Sequence, residues 1–224
     1  MLMEDQIQGE KLTKNVVLEY LKSIIIALIL ALLIRAFVVQ AFKIPSGSMI
    51  PTLLIGDHIL VTKFTYDVKI PIPLLDIDIP LWHRHNPERG DIIVFKYPLN
   101  PKQDFIKRVI GIPGDKVLIR NKKVYVNGKE LSEPYVQHTD PRILSPEVSP
   151  RDNLGPIEVP PHSLFVMGDN RDESYDSRFW KFVDISTVKG KALIIYWSWN
   201  ANGHMSLNPN EFFIRWNRIG HLIK

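Results

Sequence analysis

One long apolar run near the N-terminus constrains the chain most. Between Lys22 and Lys43 lie 20 residues, and Arg35 is the only charged one. A helix of about 20 residues is about 30 Å long, which matches the hydrocarbon core of a bilayer. Arg35 lies past the middle of the run, so its side chain can extend to the membrane interface. The run predicts one transmembrane helix over residues 23–42.

Two other interpretations of this run stay open. A buried helix of a soluble protein would show polar residues at helical spacing, and Ile24 to Ile34 shows none. A cleaved signal peptide is the second alternative, and Val39-Gln40-Ala41 offers a small-residue cleavage site. The apolar stretch is long for a signal peptide, and the residues just beyond it have catalytic character. We therefore favour a retained membrane helix.

Basic residues before the run indicate its orientation. Lys11, Lys14 and Lys22 precede the apolar residues, and positive flanks stay in the cytoplasm. The sequence thus predicts a cytoplasmic segment over residues 1–22 and an extracytoplasmic domain over residues 43–224. The predicted location is the cell (inner) membrane, crossed once, and the lipid bilayer is a predicted partner.

Composition excludes several classes of function. The chain of 224 residues has no cysteine, so disulfides, thiolate metal sites and a cysteine nucleophile are excluded. His83 and His85 lack a third ligand nearby, so we expect no metal and no cofactor. The formal net charge of +4 is too small to indicate nucleic acid as a partner.

The rest of the chain has the pattern of strands. Short β-rich runs alternate with turn signals, which predicts a mostly antiparallel β domain. Asn127-Gly128 predicts a two-residue hairpin. Two proline-rich stretches, 68–88 and 132–161, cannot form central strands. We expect a smaller inserted β/loop subdomain over about residues 116–162. The predicted strands are 91–95, 105–110, 116–120, 124–126, 163–167 and 192–198.

A turn directly after the apolar run is the first candidate for chemistry. Pro45 and Pro51 bracket the segment Ser46-Gly47-Ser48, which can hold a hydroxyl and a backbone N–H toward one point. By itself the segment favours an ordinary turn leaving a membrane helix. A nucleophilic serine needs a base, and none of the seven histidines lies in a pattern typical of a catalytic triad.

Lys107 is the alternative base. In the predicted strand around it, Phe105, Lys107 and Val109 point to one face. Apolar neighbours desolvate an amine and lower its pKa from about 10.4. Neutrality near pH 7–8 would require about 3–4 kcal/mol of differential solvation. A surface lysine on an edge strand is the competing interpretation of this segment.

A third polar stretch follows, Gly168 to Arg178, in which acids alternate with arginines around Ser174. This composition indicates a loop locked by ion pairs and Asx turns.

Taken together, five segments in this order after a membrane span resemble bacterial type I signal peptidases. The matching segments are Pro45–Met49 with Pro51-Thr52, Gly56-Asp57 with Ile59–Val61, Arg89–Phe95, Asp104–Arg108 with Gly111–Asp115, and Gly168–Asp172 with Ser174 and Asp176–Arg178.

The resemblance implies roles for individual residues. Ser48 would be the nucleophile and Lys107 the general base, without histidine. Ser46 by its hydroxyl and Ser48 by its N–H would form the oxyanion hole, and Ser174 would hold the lysine amine. Arg108 and Asp169 would form a supporting ion pair. Residues lining shallow pockets for small side chains would be Ile44, Pro45, Met49, Leu53, Phe105 and Ile106.

The implied activity is a membrane-anchored serine endopeptidase that removes signal peptides of exported preproteins after Ala-x-Ala type sites. Some members of the family have two spans or a disulfide, and this chain shows one span and no cysteine. Two rival functions stay open. One is a self-cleaving Ser/Lys regulator, which would need a DNA-binding helix-turn-helix. The other is a membrane-tethered β-domain that binds exported chains without catalysis.

Overall fold

A computed structural model describes residues 16–31, 38–72, 77–200 and 214–224, with backbone alone for 67–72, 77–81 and 83. A helix, α1, spans residues 16–31, and all of its residues are exposed. The predicted N-terminal helix is therefore present. Lys11, Lys14 and the centre of the expected span after residue 31 lie outside the described residues. Among those described, no helix combines the length and apolarity needed to cross a membrane.

The end of the expected helix differs from the prediction. Residues 39–42, assigned above to the helix, belong to strand β1. Val39 pairs with Thr62 and Lys43 with His58, so the whole of β1 (Val39–Lys43) is hydrogen-bonded along strand β2 (Asp57–Thr62). Apolar residues suit the end of a helix and a strand alike. Pairing with β2 decides for the strand, because it satisfies the backbone polar groups of β1.

The main sheet has seven strands, all antiparallel, in the order β1-β2-β13-β5-β6-β11-β12. A mostly antiparallel β fold was predicted, and the structure confirms it. Its strands are β1 (Val39–Lys43), β2 (Asp57–Thr62), β5 (Ile92–Tyr97), β6 (Asn100–Gly111), β11 (Ser163–Met167), β12 (Val183–Asp184) and β13 (Val188–Ser198).

Both faces of this sheet are covered by core. Side chains alternate along β5, so Ile92 and Val94 join one cluster while Ile93 and Phe95 join the other. The first cluster also contains the turn between β1 and β2, and the second contains Trp180 of the short helix α2 (Ser177–Trp180). A sheet buried on both faces is a rigid platform for the groups at its surface.

The second sheet has the order β10-β7-β8-β9. Asn127 and Gly128 both have positive φ, 52° and 79°, and join β8 to β9 as the predicted two-residue hairpin. Pro156 lies in the edge strand β10, at a register shift, where a missing N–H is tolerated. The strands are β7 (Lys116–Arg120), β8 (Lys123–Val126), β9 (Lys129–Glu130) and β10 (Leu154–Glu158).

The proline-rich stretch 68–88 contains a separate hairpin instead of a plain loop. Strands β3 (Asp67–Ile72) and β4 (Ile77–His83) pair only with each other. Pro71 and Pro80 lie within them, so both strands avoid the centre of a larger sheet, as the prolines predicted. The connection over residues 73–76 lies outside the described residues.

Candidate active site

Ser48 lies in the turn between β1 and β2. Two backbone hydrogen bonds close the base of this turn, from Ile44 N to the Asp57 carbonyl (2.8 Å) and from Gly56 N to the Ile44 carbonyl (3.0 Å). Within the turn, Leu53 N donates to the Met49 carbonyl at 2.8 Å. Ser48 is 8% exposed, so its hydroxyl is largely shielded from solvent.

Apolar side chains anchor this turn in the core. Ile44, Met49 and Leu53 are at most 2% exposed and belong to the core cluster beneath β2 and β5. Full burial of such a side chain contributes about 1.5–3 kcal/mol. The turn is therefore fixed on both sides of Ser48, and the hydroxyl occupies a defined position above the core.

Lys107 lies in the middle of β6, opposite Ile93 of β5. Its side chain is 4% exposed, and its Nζ is 2.7 Å from Ser48 Oγ and 5.5 Å from the centre of the Phe105 ring. Burial lowers the pKa of Lys107 to about 8, because desolvation penalises the ammonium. The attraction of Asp176 opposes this shift, and repulsion from Arg178 adds to it.

The loop after β11 borders the dyad. Gly168 lies against Ser174 and Ser48, and a Cβ at this position would collide with the Ser174 hydroxyl and the Ser48 carbonyl oxygen. Asp176 accepts hydrogen bonds from Gly168 N (3.0 Å) and from the Arg178 guanidinium (2.8 Å). Burial acts to raise the pKa of Asp176, but the Arg178 guanidinium and the hydrogen bonds that the carboxylate accepts together hold the pKa below its ordinary value. The carboxylate thus stays ionised and fixes the loop.

An ion pair supports the site from the other side of β6. Arg108 binds Asp169 through two hydrogen bonds, 2.8 Å to Oδ1 and 2.7 Å to Oδ2. Thr52, in the turn that carries Ser48, donates to Asp169 Oδ2 at 2.5 Å. The Tyr135 ring covers the guanidinium, with 3.7 Å between the ring centre and Cζ. The pair implied by the family resemblance is present in the structure.

The other site residues inferred from the sequence lie around the dyad in different environments. Ser46 is exposed, and its hydroxyl has no hydrogen bond to the described part of the chain. Ser174 Oγ is buried, and no hydrogen bond joins it to Lys107 among the described residues. Pro45 is exposed, while Phe105 and Ile106 are half-buried. The roles of these residues stay predictions.

Sequence reasoning missed three contributors. Asn170 hydrogen-bonds both residues of the Gly47-Ser48 pair, and Glu133 and Tyr135 contact the two buried arginines of the site, Arg171 and Arg108. Glu133 and Tyr135 lie in the proline-rich stretch 132–161, far along the chain from Arg171 and Arg108. Nothing in their local pattern distinguishes them from other polar loop residues. Asn170 could have been found, because it lies inside the dense polar stretch.

This arrangement has a definite chemical capacity. A buried amine with a pKa near 8 is partly neutral at physiological pH, and a neutral amine 2.7 Å from a hydroxyl oxygen can accept its proton. The Ser48 N–H donates to no described backbone group and is free to stabilise developing negative charge. Geometry of this kind is what a serine hydrolase with an amine base requires.

Comparisons with known proteins agree with that class. A model of the family described as signal peptidase, peptidase S26, matches residues 17–197. The chain is 37% identical to signal peptidase I of Pseudomonas fluorescens, over 87% of this chain and 78% of the relative. It is 38% identical to signal peptidase I of Pseudomonas aeruginosa (90% and 80%) and of Leptolyngbya laminosa (86% and 86%). The chain belongs to the signal peptidase family, peptidase S26, and is a serine endopeptidase.

Proposed function

We propose that this endopeptidase removes N-terminal signal peptides from exported preproteins, cutting after small residues at Ala-x-Ala type sites. The observation that carries the proposal is the 2.7 Å contact between Ser48 Oγ and the buried amine of Lys107, whose pKa is lowered to about 8. Family membership supports the substrate class, since the relatives reported above are named signal peptidase I.

The proposed chemistry uses a serine and a lysine. Neutral Lys107 takes the Ser48 proton as Oγ attacks the carbonyl carbon of the scissile bond. The Ser48 N–H and the Ser46 hydroxyl stabilise the oxyanion, each worth about 10²–10³ in rate. The Lys107 ammonium then protonates the leaving amine, and the C–N bond breaks. Lys107 next deprotonates a water that hydrolyses the ester, and Ser48 is restored.

Selection of small residues has a physical basis in the same elements. Half-buried Phe105 and Ile106 and exposed Pro45 would contact the substrate directly. Ile44, Met49 and Leu53 are buried in the core cluster against which Ile106 packs, so they would form the floor of the pockets and limit their depth. A closed floor leaves room for Ala and excludes long side chains. No metal, cofactor or nucleic acid enters this proposal.

We also propose that α1 begins a membrane anchor. Its large apolar side chains are exposed, among them Ile24 (63%), Ile26 (65%) and Leu28 (58%). An apolar helix left uncovered by the described part of the chain requires another apolar environment, and lipid supplies one. In this arrangement the N-terminus lies in the cytoplasm and the β domain, with its inserted subdomain over about 116–162, faces the other side of the cell membrane. The cleavage site of a membrane-bound preprotein then lies near Ser48.

The deciding experiment is cleavage of a purified preprotein with an Ala-x-Ala site by the detergent-solubilised enzyme. Ser48→Ala and Lys107→Ala are run beside wild type, with Ser145→Ala and Lys123→Ala as matched controls in exposed positions. We expect wild type and both controls to cut after the second Ala, and both dyad variants to fall to background. Retained activity of Ser48→Ala would refute the nucleophile. A folded but inactive wild type would favour a binding domain without catalysis.

The anchor has its own test. Membranes from cells expressing the full chain are extracted at alkaline pH, which strips peripheral proteins. We expect the chain to stay in the pellet, and a protease added outside the inner membrane to digest the β domain. Release into the supernatant would contradict an integral anchor without affecting the proposal for catalysis.

A further inference from the structure

The loop that follows β11 is hydrogen-bonded on two sides. One side contacts the turn that carries Ser48, and the other contacts a five-residue segment, Glu133–Gln137, from the connection between β9 and β10. Asn170 is the residue of this loop that contacts the nucleophile turn most directly, and it is 5% exposed.

Asn170 holds the nucleophile turn at two consecutive residues. Its backbone N–H donates to the Ser48 carbonyl at 3.1 Å, and its side-chain Nδ2 donates to the Gly47 carbonyl at 3.1 Å. Together these bonds fix the orientation of the peptide unit whose N–H belongs to Ser48. That N–H is the donor proposed above for the oxyanion. The Gly47 carbonyl of the same peptide unit also accepts from Ile50 N at 3.1 Å within the turn, and the Asn170 amide ties it to the loop after β11.

The segment Glu133–Gln137 fixes Asn170 from behind. Gln137 N donates to the Asp169 carbonyl at 2.9 Å, and Arg171 N donates to the Gln137 carbonyl at 3.0 Å, so the two hydrogen bonds flank Asn170. Glu133 binds the buried Arg171 guanidinium at 2.8 Å and 2.5 Å. The charge-assisted pair and the short parallel bridge of Gln137 with Asn170 keep the loop from moving away from Ser48.

The Asn170 side chain is only partly satisfied. Its Oδ1 is buried and has no hydrogen-bond partner in the part of the chain that the structure describes. An unpaired buried carbonyl oxygen is unfavourable for stability. An asparagine at this position is therefore not explained by stability alone, whereas its Nδ2 bond to the Gly47 carbonyl gives it a geometric function.

We propose that Asn170 is a positioning residue for Ser48 and that the segment Glu133–Gln137 makes this positioning rigid. This inference rests on the proposed Ser48/Lys107 chemistry and deepens it. Asn170 carries no charge and is not among the groups that shift the pKa of Lys107, which are Asp176, Arg178 and Asp169 besides burial. Its removal should disturb the orientation of the nucleophile turn while the base titrates as before.

The test compares Asn170→Ala with a matched control, Asn153→Ala, by steady-state kinetics and thermal unfolding of the full chain in detergent. Asn153 Nδ2 also donates to a main-chain carbonyl, that of Leu144 at 2.8 Å, but within the connection between β9 and β10. We expect Asn170→Ala to lower kcat about 10–100-fold, the range for small misplacements of reacting groups. KM should change less than about twofold and the acid limb of the pH profile should not move, because substrate pockets and Lys107 are intact.

The control should lower Tm without changing kcat. A kcat of Asn170→Ala equal to wild type would overturn the inference, as would a loss of activity that tracks Tm equally in both variants. Asn170→Asp gives an independent check in case the alanine variant folds poorly. It keeps the volume and the backbone bond but replaces the Nδ2 donor by an oxygen, so kcat should again fall. An inactive wild type would refute the proposed function. An active wild type beside an Asn170→Ala variant of unchanged kcat would refute only the positioning role of Asn170.

Discussion

Lys107 and Arg108 are neighbours in β6, yet the environments on the two sides of the strand have opposite effects on the positive charge of these residues. Arg108 is 2% exposed and is paired with Asp169 through two hydrogen bonds beneath the Tyr135 ring. Lys107 is 4% exposed and has a serine hydroxyl as its hydrogen-bond partner. Similar burial thus gives a permanent ion pair on one side and an amine of lowered pKa on the other.

The difference shows what determines charge inside this site. A buried cation keeps its charge when a carboxylate and further acceptors compensate for lost water, and a guanidinium does not deprotonate in proteins. An amine beside a hydroxyl lacks that compensation, so it releases its proton more readily. The two acids near Lys107 are already paired with arginines. Asp176 forms an ion pair with Arg178, and Asp169 forms one with Arg108, so neither carboxylate is left to pair with the Lys107 amine.

The largest effect is expected when the amine itself is removed. Lys107→Met should abolish cleavage, because Ser48 loses its base. The same variant should unfold at a higher temperature, since the difference between the ordinary pKa of 10.5 and about 8 corresponds to about 3 kcal/mol at 1.36 kcal/mol per pKa unit. This gain should be full below about pH 8 and vanish as the pH approaches 10.5, where the amine is neutral in both states. Unfolding curves at pH 7 and 10 measure it, and an equal gain at both would contradict this linkage.

The second-largest effect is expected when the buried ion pair between Arg108 and Asp169 is broken. Asp169→Asn leaves Arg108 buried without its carboxylate, and loss of one partner of a buried pair costs about 3–5 kcal/mol. Denaturant unfolding measures the free energy. Glu130→Gln is the control, because its partner Lys123 is exposed and their 2.9 Å bond is solvated; we expect its midpoint to match wild type. Equal losses in both variants would mean that burial does not distinguish the two pairs.

The smallest effect is obtained without mutation, from the pH dependence of wild type. With a pKa of about 8, Lys107 is mostly neutral at pH 9 and about 10% neutral at pH 7. The rate kcat/KM should therefore fall about tenfold between pH 9 and 7, and about tenfold more by pH 6, provided the enzyme stays folded. A rate that is level down to pH 5 would exclude a lysine base.

Local patterns predicted much of the β domain. Lys116–Arg120 and Ser163–Met167 were predicted with the bounds that the structure gives, because alternation and β-branched residues are read within a few residues. The Asn127-Gly128 hairpin was predicted because two adjacent positive φ angles favour these residues. The end of the N-terminal helix was placed too late, since apolar residues 39–42 suit a strand as well as a helix.

The resemblance to a known family brought Ser48 and Lys107 together, and local pattern alone did not. The residues are 59 positions apart, and each segment by itself had an ordinary structural explanation. The acid–arginine stretch 168–178 was expected to be locked by ion pairs. Arg178 does pair within it with Asp176, but Arg171 binds Glu133 of the β9–β10 connection and Asp172 binds Lys122 of the turn between β7 and β8.

The sequence by itself determined the apolar N-terminal helix, the strand-rich domain, the Asn127-Gly128 hairpin and the residue types able to act as nucleophile and base. Those properties depend on hydrophobic period, turn chemistry and side-chain functional groups, which are local. The tertiary structure alone decided that Lys107 is desolvated while Arg108 is paired, and that Asn170 is held against the Ser48 turn. A pKa and a hydrogen-bond direction depend on which distant groups share a desolvated site, and the chain order does not contain that information.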